Sequence, residues 1–347
     1  SPAIPDPARA EPFVQSPICT GPDCTSTPFP SPLPIPRRPQ QQSYESEEEH
    51  NKRLINFEAT VERIAELNEK LAAEGEDMVH GITRFADMSK EEFKSFLGVV
   101  PSMGPSDDIP VLEASMNVSA LSGSFNWNDQ GVLTPVKDQA QCGSCWAFSA
   151  VETIESAWIR AGNDMTVFSE QQVVACDTAD NGCGGGLPTN AFDYVKSAGG
   201  LATEASYPYT SGTGDAGTCQ SFTTAGGTVS TYGYAVPQCS KVFGTCDEDS
   251  DALASALQSN GPVSVALDAS EWSSYAGGVM TSSSCSSSSR KMDHAVQLVG
   301  YNADAETPYW IVRNSWSSSW GEDGFIYLKM GDNTCGLANL AAQVTAV

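Results

Sequence analysis

The sequence is poor in histidine, in basic residues and in long apolar runs. Its 347 residues include 3 histidines, and 18 lysines and arginines against 43 aspartates and glutamates, which gives a net charge of −25. A chain this acidic repels polyanions, so we expect no nucleic-acid partner. Charge interrupts the longest apolar runs well before the length of a membrane helix, so we expect no membrane span. The acidity serves solubility or, alternatively, suits a compartment of low pH.

Cysteine is abundant by contrast, and its count is odd. Eleven cysteines are many for a reducing compartment, and ten of them can pair while Cys145 is kept as a thiol for chemistry. This favours a protein of the secretory pathway that works in a lysosome-like or vacuole-like acidic compartment or outside the cell. Such a protein needs a leader peptide, which we expect to have been removed before Ser1.

Composition divides the chain into four predicted parts. Residues 1–44 are dense in proline, which predicts a disordered extension. Residues 45–98 are helix-forming, whereas 99–120 are loop-like and include a glycosylation sequon at Asn117. Residues 121–347 carry helices first and strands later. This order predicts an α+β domain of two packed lobes, with a cleft at their junction.

Within residues 45–98 the pattern predicts three short elements. Apolar side chains recur at spacings of three and four over 45–71, which indicates an amphipathic helix. Alternation over 80–89 predicts a short strand. A second helix is predicted over 89–97, where Ser89 provides the N-cap of a capping box.

Cys145 is the candidate nucleophile. Sulfur attacks a carbonyl efficiently only as the thiolate, so the cysteine needs a base and a field that favours the anion. Cys145 is predicted to open a helix over 145–160, whose N-terminal amides present partial positive charge to the sulfur. The alternative, a buried structural thiol, is disfavoured by the small neighbours Gly143 and Ser144, which keep the position open.

His294 is the candidate base. The other two histidines, His50 and His80, lie in the segment 45–98, which we expect to be removed from the mature protein. One remaining histidine cannot build the usual metalloprotease site, so we expect no metal. A lone histidine beside apolar residues is commonly structural, but its combination with Cys145 favours the catalytic interpretation.

Two amide side chains complete the predicted site. Asn314 is the candidate for orienting His294, because an amide oxygen that accepts one imidazole N–H leaves the other nitrogen facing the thiol. Trp316 and Trp320 would screen that hydrogen bond from water. Gln139 could aim its side-chain N–H at the oxyanion that forms on attack.

These residues lie in motifs that resemble those of the papain-like cysteine peptidases, and of their cathepsin L-like proenzymes in particular. The stretch QAQCGSCW resembles the nucleophile motif. The resemblance covers about 45–347 and implies a helical left lobe, a β-barrel-like right lobe and cofactor-free hydrolysis of peptide bonds. Ala140 and Ser317 stand where the family has glycine. The motifs occupy, in the family's order, residues 139–146, 169–172, 182–186, 293–295 and 314–316.

The resemblance also implies the residues that bind substrate. Gly185, Gly186 and the backbone of Asp293 would hold an extended peptide by main-chain pairing, and Trp316 would lie beside it. The pocket for the residue that precedes the scissile one, the P2 residue, would be entirely apolar. We therefore predict a preference for Leu, Phe or Val at P2. The aligned pocket positions are Leu187, Pro188, Ala266, Met292, Ala295 and Leu340.

The resemblance implies three disulfides, and the remaining cysteines suggest two more. The family pairs correspond to Cys142–Cys183, Cys176–Cys219 and Cys285–Cys335. Outside the family pattern, we expect Cys239 to pair with Cys246 in an inserted loop, and Cys19 with Cys24 in the extension.

Residues 45–98 resemble the family's inhibitory propeptide, which implies a latent zymogen with 99–120 as its activation linker and 121–347 as its peptidase domain. Protonation of acidic residues such as Asp87 would loosen the propeptide, with self-cleavage near 115–123. Expected partners are protein and peptide substrates, the propeptide itself and cystatin-type inhibitors, and we expect a monomer. Matching positions are Glu49, Arg53, Phe57, Ile64, Asn68, Gly81, Phe85 and Asp87, while Asn56, Thr60 and Thr83 depart from the pattern.

Two other functions use the same residues. A catalytically silent homologue would act as a binding protein, but such relatives usually lose the nucleophile, which this chain keeps. A peptide ligase would form the same acyl-enzyme and differ only in the acceptor.

Overall fold

The computed structural model describes residues 44–101, 108–115, 122–239 and 246–347. The predicted disordered arm up to residue 43, the Cys19–Cys24 pair and the sequon at Asn117 therefore lie outside the described residues. No helix in the described ranges is long and apolar enough to cross a membrane.

The first described element is the long helix α1, Glu47–Glu74. It begins where Ser46 Oγ accepts a hydrogen bond from Glu49 N at 3.1 Å, and acidic residues in its first turn complement the helix dipole. It ends at Gly75, whose φ of 76° suits glycine. The helix predicted over 45–71 is confirmed and extends one turn further.

The strand predicted over 80–89 is wrong. That segment consists of turns, with only an isolated bridge from His80 to Tyr275. The backbone of this segment instead bonds to a residue distant in sequence, because Gly81 N donates to Ser274 O at 2.7 Å. The next helix, α2, is Lys90–Phe93 and has the predicted capping box, but a 3₁₀ turn replaces the rest of the predicted helix.

Three helices form one lobe of the peptidase region. They are α3, Cys145–Arg160, α4, Glu170–Cys176, and α5, Pro188–Ala198. Helix α3 is buried from Cys145 to Ala157 because it packs against both α5 and the sheet. In α4, Ser169 Oγ accepts a hydrogen bond from Gln172 N at 3.0 Å, as in one half of a capping box. The side chain of Gln172 bonds to Ala202 N instead of closing the box.

The second lobe is an eight-stranded sheet with one accompanying helix. Strand β1 pairs with β5, and the others lie in the order β2-β8-β3-β5-β6-β7-β4. Only the β4–β7 pairing is parallel. The elements are β1 Ser124–Asn126, β2 Thr231–Tyr234, α6 Ser250–Asn260, β3 Val263–Leu267, β4 Val279–Met280, β5 His294–Asn302, β6 Tyr309–Arg313, β7 Phe325–Lys329 and β8 Leu340–Ala346.

The two-lobed α+β fold with a helical propeptide is confirmed, but the expectation of a barrel-like right lobe needs correction. The sheet is open, because other segments occupy the outer edges of its end strands. Tyr234 of β2 exchanges backbone bonds with Pro110 and Leu112, and Val279 N of β4 donates to the carboxylate of Asp77 at 3.2 Å. The end strands therefore do not meet in the described structure.

The propeptide is continuous with the core of the sheet lobe. Phe85, Phe93 and Phe96 are buried in the same apolar cluster as Trp316. Phe85 and Phe93 meet the Trp316 ring edge-on at 5.2 and 5.4 Å between centroids. Each buried phenylalanine contributes about 1.5–3 kcal/mol of hydrophobic stabilisation, so apolar burial holds the propeptide in place.

Candidate active site

Cys145 begins α3 at the junction of the two lobes. The Cys142–Cys183 disulfide anchors the preceding turn, and Cys145 is the only cysteine of the described residues without a disulfide. Its side chain is fully buried, and the backbone amides of Ala295 and Gly98 act on the sulfur to lower its pKa. Burial nevertheless raises the pKa of Cys145 to about 12, so the covered site holds a neutral thiol.

His294 opens β5 and is fixed by two neighbours. Its Nε2 lies 2.8 Å from Asn314 Oδ1, and its ring stacks on Trp316 at 4.6 Å between centroids. Because Ser315 N also donates to Asn314 Oδ1, that oxygen is an acceptor and Nε2 must carry the hydrogen. The lone pair of His294 therefore lies on Nδ1, which is buried without a hydrogen-bond partner.

Burial also controls the charge of His294. It lowers the pKa of the imidazole to about 4, against the opposing effect of the Asn314 hydrogen bond. In the covered site the imidazole of His294 and the thiol of Cys145 are therefore both neutral. Both shifts come from the exclusion of water, so removing the cover favours the ion pair.

Gln139 is oriented by three hydrogen bonds. Its Oε1 accepts from Ser315 Oγ at 2.7 Å, which turns Nε2 towards the carbonyl oxygens of Cys142 at 2.8 Å and Phe96 at 2.9 Å. Phe96 belongs to the propeptide. A carbonyl oxygen of the covering chain therefore already lies where Gln139 was predicted to bind an oxyanion.

The two residues that replace glycine in the family pattern keep the backbone conformation of glycine. Ala140 has φ of 49° and Ser317 has φ of 70°, in the left-handed region that costs other residues roughly 1–2 kcal/mol. The Asp138 carboxylate accepts from Ala140 N at 2.9 Å and supports the first turn. The loop that carries Gln139 therefore has the conformation of a glycine-containing loop.

The propeptide backbone crosses the cleft directly over Cys145. Gly186 N donates to Gly98 O at 2.8 Å, Val100 N donates to Gly186 O at 3.3 Å, and Val99 N donates to Asp293 O at 3.0 Å. A Cβ atom on Gly98 would lie 1.9 Å from Gly143 O, so only glycine fits there. The predicted peptide-binding backbones are thus brought together around an extended chain.

The predicted P2 residues also come together, beside the same crossing. Ala266 of β3 pairs with Ala295 of β5 and with Leu340 of β8, which aligns three of them across the sheet. Leu187 and Met292 lie in the same apolar cluster, together with Val99 at the start of the predicted activation linker. Pro188 is buried at the start of α5. Trp316 instead packs on His294 and the propeptide phenylalanines, outside this cluster.

Sequence reasoning missed Phe96 and Gly98, although both contact the site. Gly98 had a usable signal, since a glycine directly after a predicted helix marks a turn or a close approach. The described residues contain four disulfides, which are the pairs expected from the sequence apart from Cys19–Cys24. They are Cys142–Cys183, Cys176–Cys219, Cys239–Cys246 and Cys285–Cys335.

Fold and site define a two-lobed protein whose thiol–imidazole pair is covered by a segment of its own chain. Residues 121–345 match the family model of papain family cysteine proteases, and residues 40–93 match the cathepsin propeptide inhibitor domain. The chain therefore belongs to the papain family of cysteine proteases, in its proenzyme form. The resemblance seen in the sequence is confirmed, while the predicted part boundaries stay a prediction.

Two individual cysteine proteinases and one solved structure are also similar to this chain. The chain is 42% identical to a cysteine proteinase of Trypanosoma brucei brucei, over 77% of this chain and 57% of the relative. It is 37% identical to cysteine proteinase B of Leishmania mexicana, over 86% of this chain and 65% of the relative. It thus spans less than two thirds of either. The structure of the digestive procathepsin L2 proteinase from Tenebrio molitor larval midgut is 35% identical, with a TM-score of 0.73, and the match covers 88% of this chain and 95% of that one.

Proposed function

We propose that the chain is the precursor of a cysteine endopeptidase, with Cys145 as nucleophile, His294 as base, Asn314 as its orienting residue and Gln139 as oxyanion donor. The observation that carries the proposal is the extended propeptide in the cleft, whose Phe96 carbonyl accepts from Gln139 Nε2 at 2.9 Å. A cleft that binds a peptide backbone beside a thiol and an imidazole is suited to acyl transfer.

The proposed reaction begins after the propeptide leaves. His294 Nδ1 takes the proton of Cys145, and the thiolate forms a C–S bond to the substrate carbonyl while the electron pair of the C=O bond moves to oxygen. Gln139 stabilises that oxyanion. The C–N bond then breaks, and the amine leaves with the proton from His294. Water, deprotonated by His294, finally cleaves the thioester and releases the acid.

The two alternative functions differ from hydrolysis in their products. The silent homologue is disfavoured because His294, Asn314 and Gln139 are all oriented for chemistry. A ligase would use the same groups, so product analysis decides between amine transfer and hydrolysis.

Thiol-specific labelling tests the proposed function. After incubation at pH 4–5, a peptidyl epoxide should label the protein at Cys145, and cleavage of a peptide substrate should stop. Cys145→Ser should abolish both labelling and cleavage, whereas the exposed substitution Asp164→Asn should leave both unchanged. Cleavage that persists in Cys145→Ser would contradict the proposal, and amide formation with an added amine in place of hydrolysis would indicate a ligase.

We propose that substrates carry an apolar P2 residue. The supporting observation is that Leu340 is fully buried among apolar neighbours and that Val99 lies in the same cluster. An arginine in this pocket would bury its charge without a partner, which costs several kcal/mol.

Paired peptide substrates test the P2 preference. A Leu substrate should show a kcat/KM at least about tenfold above that of the matching Arg substrate, because an unpaired buried charge disfavours the latter. Leu340→Glu should reverse the order by supplying a carboxylate, while Leu340→Met should preserve it. Faster cleavage of the Arg substrate by the unmodified enzyme would disprove the preference.

We further propose that acid releases the propeptide, and that His80 contributes more to this release than Asp87. The carboxylate of Asp87 accepts from Tyr44 at 2.6 Å, so it bonds within the propeptide. His80 lies at the interface with the peptidase region, where its Nδ1 meets Ser274 Oγ at 2.9 Å. Its Nε2 is buried without a partner, and Arg63 stands nearby. Charged groups around the adjoining cavity are Lys70, Asp268, Glu271, Lys291 and Asp293.

Burial and the charge of Arg63 lower the pKa of His80 from 6.5 to about 4. The released propeptide therefore binds more protons than the docked one between these pH values. The contribution of His80 to the stability of docking is fully present above pH 6.5. It is lost as the pH falls towards 4, which weakens docking by up to about 3 kcal/mol.

Replacement of His80 tests this contribution. His80→Gln removes the titrating group and should shift the midpoint of acid processing downwards by about half a pH unit or more. The exposed His50→Gln serves as the matched control and should process at the pH of the unmodified chain. Processing of His80→Gln at an unchanged or higher pH would contradict the role of His80.

The four disulfides and the acid release together support a place in the secretory pathway, ending in an acidic compartment or outside the cell. We also propose cystatin-type inhibitors as partners and a monomeric state, both from the family resemblance.

A further inference from the structure

Two buried aspartates lie directly behind the backbone that pairs with the propeptide. Asp177 follows the end of α4 and Asp180 lies in the next turn. Each is only 7% exposed. The mechanism above uses neither residue, and no sequence motif drew attention to them.

Asp180 holds the peptide-binding segment by two hydrogen bonds and by direct contact. Its Oδ1 accepts from Leu187 N at 3.1 Å and from Asn190 Nδ2 at 3.0 Å. A Cβ atom on Gly186 would lie 2.5 Å from Asp180 Cγ, so the backbone of Gly186 rests against the carboxyl group. The opposite side of Gly186 bonds to Gly98 and Val100. The position of Asp180 therefore sets the position of the peptide-binding backbone.

One oxygen of each carboxyl group is buried without a hydrogen-bond partner. Asp177 Oδ1 accepts from Ala179 N at 2.8 Å, but Oδ2 of Asp177 and Oδ2 of Asp180 meet no N–H or hydroxyl donor. Asp177 and Asp180 influence each other's pKa directly, and a hydrogen bond between two carboxyl groups needs a proton on one of them. Burial and their mutual repulsion raise the pKa of Asp180 to about 7.

The nearby titratable groups on α5 do not offset the negative charge of the two aspartates. Asp193 on α5 acts on Asp177 with the same negative sign, and Tyr194 beside it is a neutral phenol whose own pKa is raised by burial. When both groups are ionised, the two buried carboxylates repel each other, and Asp193 adds a like charge.

We propose that Asp180 is a positioning residue for substrate binding: its protonated form, bonded to Asp177, holds Gly186 and Leu187 in the conformation that pairs with an extended peptide. The inference rests on the proposed peptidase function and adds a pH limit to substrate affinity. Since the native pair binds its proton below pH 7, the segment is held firmly there. It loosens as the pH rises through 7.

Steady-state kinetics of the acid-processed protein, measured from pH 5.5 to 8.5, test this role. In the unmodified enzyme KM should rise about fivefold above pH 7, the effect of weakening one backbone hydrogen bond. Asp180→Asn keeps the acceptor for Leu187 and supplies a donor for Asp177 without titrating, so its KM should stay constant. The exposed Asp164→Asn should retain the rise. The pH profile of kcat should be the same in all three proteins, because it reports on Cys145 and His294.

The kinetic outcomes distinguish the proposed peptidase function from the proposed role of Asp180. Absence of turnover in the unmodified protein overturns the proposed function. Turnover with the same KM rise in Asp180→Asn overturns only the role of Asp180. If Asp180→Asn fails to fold, Asp177→Asn carries the same test, since its amide donates to Asp180 and also removes the proton-sharing pair.

Discussion

The hydrogen bond from Gly186 N to Gly98 O keeps the cleft of this molecule covered. It holds the propeptide backbone across the cleft, with Gly98 against Gly143 and a carbonyl oxygen on Gln139. Only glycine fits at position 98, so the chain approaches the sulfur closely enough to exclude water. Exclusion of water then raises the pKa of Cys145 and lowers that of His294. The propeptide therefore blocks the site sterically and also keeps its thiol and imidazole uncharged. One backbone contact produces both effects.

The same site also depends on a buried junction between the lobes, which is formed within the peptidase region. The proposed nucleophile is on a helix and the proposed base on a strand, and a buried network behind them joins helix α3 to loop and sheet. Lys137 bonds to Glu155 at 2.6 Å, and Arg313 of β6 faces Glu152 at 3.4 Å. Removing one partner from such a network leaves a buried unpaired charge. The arrangement of thiol and imidazole is thus specified by the peptidase region, while their charge is set by the cover.

Features with local signals could be predicted from the sequence. Helix α3 begins at Cys145 and ends at Arg160 as expected, because the hydrogen bonds of a helix join residues that are close together in sequence. The barrel-like closure and the strand over 80–89 were wrong, because bonding partners distant in sequence decide both: Asp77 and Leu112 occupy the sheet edges, and Ser274 takes the amide of Gly81. Asp180 was missed for the same reason. Its proposed role depends on a contact with Gly186 and on the neighbouring carboxyl group of Asp177, which no single motif displays.

In the intact chain the propeptide keeps Cys145 neutral and covered. The most direct measurement is the rate at which iodoacetamide alkylates Cys145 at pH 7.5, read by mass spectrometry, in the intact chain and in acid-processed protein returned to that pH. A neutral, buried thiol should react at least about 100-fold more slowly than the uncovered thiolate. Equal rates in the two forms would show that the propeptide does not control the charge and access of Cys145.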